Sequence, residues 1–112
     1  VYELVENGKY YDPFNNKIEC ATFWDSLEHI ENIQELLVNI TCYAFVSIPI
    51  FMGLKHVMSS KHYRPDEHCW YFTRIGFERF MNAHGFEIIY YDDFETQLGR
   101  SDIGTFVCKR VS

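Results

Sequence analysis

The sequence predicts an α/β domain. Two near-continuous apolar runs of strand length flank a stretch with helical period. A second helical stretch then leads into two more strand-like runs. Strands that alternate with helices read as packed layers of sheet and helix.

The first good strand is Ile18–Trp24, Ile-Glu-Cys-Ala-Thr-Phe-Trp, apolar enough to be buried on both faces. Asn32-Ile33-Gln34-Glu35 fits a capping box, with Asn32 as N-cap and Glu35 three residues on. Ile33, Leu36, Leu37 and Ile40 then recur on one helical face. An earlier helical turn starts at Asp25, with Glu28 in the matching capping-box position. Residues 42–48, Cys-Tyr-Ala-Phe-Val-Ser-Ile, form the second buried strand, and Pro49 is expected to end its ladder. Strand, helix and strand over about thirty residues make a βαβ unit, so these strands are expected to be parallel with a right-handed crossover.

Residues 50–70 show no period. A loop of that length inside a compact domain is functional or mobile. Thr73 reads as an N-cap for a helix carrying Ile75, Phe77, Phe80, Met81 and His84, which Gly85 stops. Residues 86–91 are a third strand, 92–104 an acidic loop, and 105–111 a last strand with Lys109 and Arg110 near its end. With no helix between them, the last two strands are expected to pair antiparallel. At the other end, residues 1–7 read as the tail of an amphipathic helix closed by Asn7-Gly8, and Lys9-Tyr10-Tyr11 as a short strand. Asp12-Pro13 and Asn15-Asn16 are turn chemistry. A chain that begins inside a helix reads as cut.

Composition narrows the classes. The 112 residues are 47% hydrophobic and 18% aromatic, enough for one cored domain rather than a disordered tail. A net charge of −6 argues against nucleic acid or a membrane surface as partner. No apolar run approaches the roughly 18 residues needed to span a bilayer, and the first residues lack a signal-peptide pattern. Cys20, Cys42, Cys69 and Cys108 form no Cys-x-x-Cys pair and lie mostly in apolar runs. They are expected to be reduced small hydrophobes in a cytoplasmic protein.

Chemistry concentrates in two places. Trp24 and Asp25 stand where the first strand stops, with Glu28 and His29 one turn later. Ligands of open α/β sheets bind past the carboxyl ends of strands. The same residues also have a purely structural reading, in which Asp25 caps, Glu28 completes a capping box and His29 packs on the sheet. The second place is residues 55–69, with His56, His62, His68 and Cys69. Their spacing is not that of a structural zinc site, so no metal is expected. The preferred reading is a substrate-side loop whose His62, Tyr63, Arg64 and His68 face the crevice and whose positive charge favours an anionic substrate. A solvated loop anchored by His68 and Trp70 fits equally. A Ser47–His68–Asp25 hydrolase fails because Ser47 lacks a Gly-x-Ser-x-Gly elbow.

Several pieces in order resemble the C-terminal half of class I S-adenosylmethionine-dependent methyltransferases, most of all small phage and bacterial methyltransferase-like proteins. They are Phe23-Trp24-Asp25-Ser26-Leu27-Glu28-His29, Val46-Ser47-Ile48-Pro49, His68-Cys69-Trp70-Tyr71-Phe72-Thr73 and Gly85-Phe86. The resemblance implies a partial Rossmann-like sheet, with strands equivalent to the family's 4-5-7-6, the last antiparallel and the first two missing. It implies S-adenosylmethionine as cofactor, with Phe23, Trp24, Asp25 and Glu28 on its methionine side. Asp25, His29 and His68 become the candidate catalytic groups. The six glycines never form the family's Gly-x-Gly cofactor loop. The chain is therefore expected to be one truncated domain over residues 1–112 that does not bind the cofactor normally by itself, with residues 1–16 displaced or refolded. Its Ile18–Trp24 edge is expected to be covered by a partner in a homodimer or domain swap. The competing classes are a non-catalytic, self-associating remnant and, remotely, a metal-binding module.

Overall fold

Helical and strand periods resolve into ten short elements in the computed structural model, which describes residues 14–112 apart from 67 and 101. The helix tail expected over residues 1–7 and the strand over 9–11 lie outside the described residues. In order, the elements are β1 (Ile18–Trp24), a 3-10 turn (Leu27–His29), α1 (Ile33–Leu37), β2 (Ile40–Phe51) and α2 (Leu54–Ser59). Then come β3 (Phe72–Thr73), α3 (Arg74–Ala83), β4 (Phe86–Asp92), α4 (Phe94–Gln97) and β5 (Ile103–Arg110). The fold is mixed α/β, with a five-stranded sheet in the order β1-β2-β5-β4 and β3 beside the end of β2. β1 and β2 are parallel, and β5 runs antiparallel to both β2 and β4.

β2 does not end at Pro49. It continues to Phe51, and Pro49 stays in register with Ile103 of β5. The reason lies in the direction of its missing donor. The Ile50 N–H points to β5 and bonds the Asp102 carbonyl at 2.6 Å. Alternation turns the Pro49 nitrogen to the opposite side, where β1 has already stopped at Trp24.

Two neighbouring rungs show how the sheet is covered. Phe23, Val46, Phe106 and Tyr91 lie in register across β1, β2, β5 and β4. The first three are 5%, 0% and 0% exposed, packed with Ile33, Leu36 and Leu37 of α1 and Phe77 and Met81 of α3. The next rung, Thr22, Phe45, Val107 and Tyr90, points the other way. There Phe45 and Val107 are only half-buried, and Tyr90 is exposed. One face of the sheet thus carries α1 and α3; on the other, α4 meets only the end at Ser47 and Thr105, and the rung of Thr22, Phe45, Val107 and Tyr90 is largely uncovered among the described residues.

That open face corrects the expectation for β1. Of its residues only Phe23 is buried; Glu19, Cys20, Thr22 and Trp24 are exposed. Among the described residues β1 is an end strand with one covered face, so an apolar sequence does not make it a buried one. Cys20 and Cys42 are also exposed, against expectation, as is Cys69 of the long loop, and only Cys108 is a core hydrophobe. Burial pushes the Cys108 thiol up to about 12.

The helical segments follow their periods with local departures. Ile33, Leu36, Leu37 and Ile40 are all buried, but Ile40 already begins β2. The Asn32 side chain makes no cap bond; its amide donates instead to Glu35 Oε2 at 3.0 Å. Thr73 does cap α3, its Oγ1 accepting from the Gly76 N–H at 2.9 Å. Gly85, at φ +86°, takes the left-handed conformation that closes α3. Ile75 is exposed, off the buried Phe77 and Met81 stripe. No helix among the described residues is long and apolar enough to cross a membrane.

Candidate functional site

The chain leaves β1 through a left-handed residue. Asp25 has φ 56°, a conformation that Asp tolerates better than most residues. Its N–H donates to the Ser47 carbonyl of β2 at 2.9 Å. Its carboxylate meets Arg100 Nη2 at 2.6 Å, and Arg100 Nη1 meets Glu95 Oε1 at 2.7 Å. Glu95 Oε2 in turn accepts from Ser47 Oγ. These bonds tie the exit of β1 to β2 and to the segment before β5. Asp25 is therefore not the helix cap that its position implied; Ser26 is the N-cap of the 3-10 turn and makes no side-chain bond there.

Glu28 departs from its capping role as well. It is 3% exposed, and its Oε2 has no hydrogen-bond partner among the described residues. Burial pushes its carboxyl above the usual range. Glu95 moves the other way, held below that range chiefly by the Ser47 hydroxyl and also by Arg100. A carboxyl raised on folding is least costly when protonated. The Glu28 contribution to stability is greatest below the ordinary value of 4.5 and falls as pH rises through that value to the raised one. Glu28→Gln is expected to stabilise the domain at pH 7.5 by about 1 kcal/mol, with the gain shrinking toward pH 4. Paired thermal melts in chelator at the two pH values check this; a loss of stability at pH 7.5 would contradict it.

The end of the long loop is stitched onto the 3-10 turn. The Cys69 and Trp70 N–H groups both donate to the Glu28 carbonyl, at 2.7 and 3.2 Å. Trp70 Nε1 donates to the Ile30 carbonyl at 2.7 Å, and its ring stacks on Phe72. This clamp sets the buried His68 edge-on to His29, ring centroids 4.5 Å apart. Trp70→Ala is expected to cost about 2 kcal/mol, less than a fully buried Trp, and to increase amide exchange across residues 62–70. Unchanged exchange there would contradict the clamp.

The result is a hollow of about 370 Å³ beyond the carboxyl ends of the parallel strands β1 and β2, lined by Asp25, Glu28, His29, Pro49, Lys61, His62, Arg64, His68 and Arg100. The structure thus brings together Asp25, Glu28 and His29 with His62, Arg64 and His68. It sends three other candidates elsewhere. Phe23 is a core residue. Trp24, on the opposite face, lines a second hollow of about 290 Å³ with Asp92, Phe94, Glu95 and Thr105. Tyr63 is 38% exposed and packs on Tyr71. Arg100 and Glu95 were invisible to sequence reasoning, because an isolated arginine in an acidic loop carries no motif and its partner Asp25 is 75 positions away.

No protein-family profile matches the sequence, and no curated protein does. A solved structure does: magnesium protoporphyrin IX methyltransferase (ChlM) from Synechocystis PCC 6803, determined with bound SAH. The TM-score is 0.56 at 13% identity, over 89% of this chain and 49% of that one. The chain has a methyltransferase-like fold. It spans about half the length of that methyltransferase, and the likeness is one of fold.

Proposed function

We propose that this chain forms the acceptor-side half of an S-adenosylmethionine-dependent methyl-transfer crevice. The observation that carries the reading is the convergence of Asp25, Glu28, His29 and His68 on one hollow past the ends of parallel strands, the place where open α/β sheets bind ligands. The fold supports it. In this reading β1, β2, β4 and β5 correspond to the family's strands 4, 5, 6 and 7, so that the order β1-β2-β5-β4 corresponds to 4-5-7-6. The uncovered rung of Thr22, Phe45, Val107 and Tyr90 is then the surface on which the other half of a doubly wound domain packs. Transfer of a methyl group depends largely on holding the acceptor in line with the sulfonium carbon. Asp25, fixed by Arg100, and the His29–His68 pair are the groups placed to orient an acceptor or take its proton. Lys61, Arg64 and Arg100 around the hollow favour an anionic acceptor.

In the second reading the chain is a non-catalytic domain that self-associates. β1 is an end strand among the described residues, and its edge is a template for a strand of a second copy. Both readings place the protein in the cytoplasm, where its four free cysteines stay reduced.

Calorimetry with S-adenosylmethionine and S-adenosylhomocysteine separates the readings. Saturable heat that Asp25→Ala removes supports methyl transfer. The absence of heat at millimolar ligand favours the non-catalytic domain. A monomer by light scattering at micromolar concentration counts against the paired edge.

A further inference from the structure

Glu28, His29 and His68 converge at one point of the hollow. Their ligand-type atoms all fall within 4.8 Å of one another. His29 Nε2 stands 3.5 Å from Glu28 Oε1, long for a hydrogen bond but close to the separation of two ligands on one ion. Ligands bound at roughly 2.0–2.1 Å in a tetrahedral site lie about 3.4 Å apart, so small side-chain rotations close the set. Glu28 Oε2 is the independent sign. It is a buried carboxylate oxygen without a hydrogen-bond partner among the described residues, a costly arrangement unless something positive meets it.

We propose that Glu28, His29 and His68 bind one divalent transition-metal ion of the zinc class. Two imidazoles and a carboxylate are a donor set of open, catalytic zinc sites. The His68 ring is prepared for this role. Its Nδ1 lies 2.8 Å from the His62 carbonyl, and since a carbonyl only accepts, Nδ1 carries the proton; in the neutral ring Nε2 is then the ligand atom. The Cys69 and Trp70 bonds to the Glu28 carbonyl fix the two ligand segments against each other. The spacing rule that argued against zinc applies to ligands paired within one loop; here they come from two segments joined by the fold. Partly exposed His29 opens the site to the hollow, so the remaining coordination position faces the space lined by Lys61, His62 and Arg64. That position takes water or an oxygen donor of a ligand. Its use on a methyl acceptor rests on the methyl-transfer reading; metal binding itself does not.

The test is titration of chelator-stripped protein with Zn²⁺ by calorimetry and with Co²⁺ by absorption, without S-adenosylmethionine. The expected result is one ion per chain, a Co²⁺ spectrum without thiolate charge transfer, and a Zn²⁺-dependent rise in melting temperature. His68→Ala and Glu28→Gln are expected to weaken binding at least about 100-fold, beyond the usual loss of a supporting residue. Glu28→Gln is expected to melt no lower than the wild type in chelator, which separates lost binding from lost folding. Cys69→Ser is expected to bind unchanged. No saturable binding, a thiolate band, folded Glu28→Gln protein that binds as tightly as wild type, or loss of binding in Cys69→Ser would overturn the site. Failure of the methyl-transfer reading leaves this result untouched.

Discussion

Replacing Arg110 with methionine lowers the stability of the domain by about 3 kcal/mol. The side chain sits at the end of β5 and gathers three backbone carbonyls. Its Nε donates to the Ile40 carbonyl at 3.0 Å and its Nη1 to that of His84 at 2.5 Å, while Nη2 donates to that of Leu37. Leu37 and His84 close α1 and α3, whose C-terminal ends attract a cation. The guanidinium also lies over the Phe86 ring, 4.1 Å from its centroid. Gly85 makes room: a Cβ there would stand 2.6 Å from Arg110 Nη1. Methionine keeps the stem and strands all three acceptors. Arg110→Lys is expected to recover less than half the loss, because an ammonium lacks the planar fork that reaches three directions at once. Urea denaturation of the two variants measures both effects; a lysine variant as stable as the wild type would refute the latch.

Phe77→Ala is the largest expected loss, about 4 kcal/mol. Phe77 is fully buried under the sheet, its ring 4.5 Å from that of Phe106 and 5.3 Å, edge to face, from that of Phe72. Those neighbours cannot close over the gap. Phe106 is held in β5 between β2 and β4, and Phe72 in β3 beside β2. Transfer and cavity costs therefore add. Phe77→Leu, which leaves a smaller void, is expected to cost less than half as much. Equal losses for the two variants, read from urea midpoints with unchanged slopes, would mean that packing at Phe77 is looser than its burial implies. The damage would travel to the hollow, since Phe72 stacks on Trp70 and Trp70 holds the His68 segment.

Local chemistry was legible along the chain wherever neighbours in sequence are neighbours in space. The cap of Thr73, the stop at Gly85, the buried stripe of Ile33, Leu36 and Leu37, and the parallel pairing of β1 with β2 all follow from short-range pattern. So does the gathering of reactive side chains around Asp25, Glu28 and His29, because the end of a strand projects consecutive residues toward one opening.

The misreadings share another cause. Asp25 and Glu28 look like helix caps because Asp and Glu at those spacings usually are. Only the folded chain shows that Arg100 takes the first carboxylate and that burial isolates the second. Pro49 looks like the end of a strand until the direction of its missing donor is known. β1 looks buried because hydrophobicity records what a side chain prefers and not whether a second layer covers it. The sequence by itself determined the α/β class, the βαβ unit and the residues rich in chemistry, through patterns local to each element and the rule that strands joined by a helix run parallel. The tertiary structure alone decided which of them meet: Arg100 with Asp25, His68 with His29, and Arg110 with the ends of two helices. Those pairings depend on loop closure over tens of residues, which no local pattern encodes.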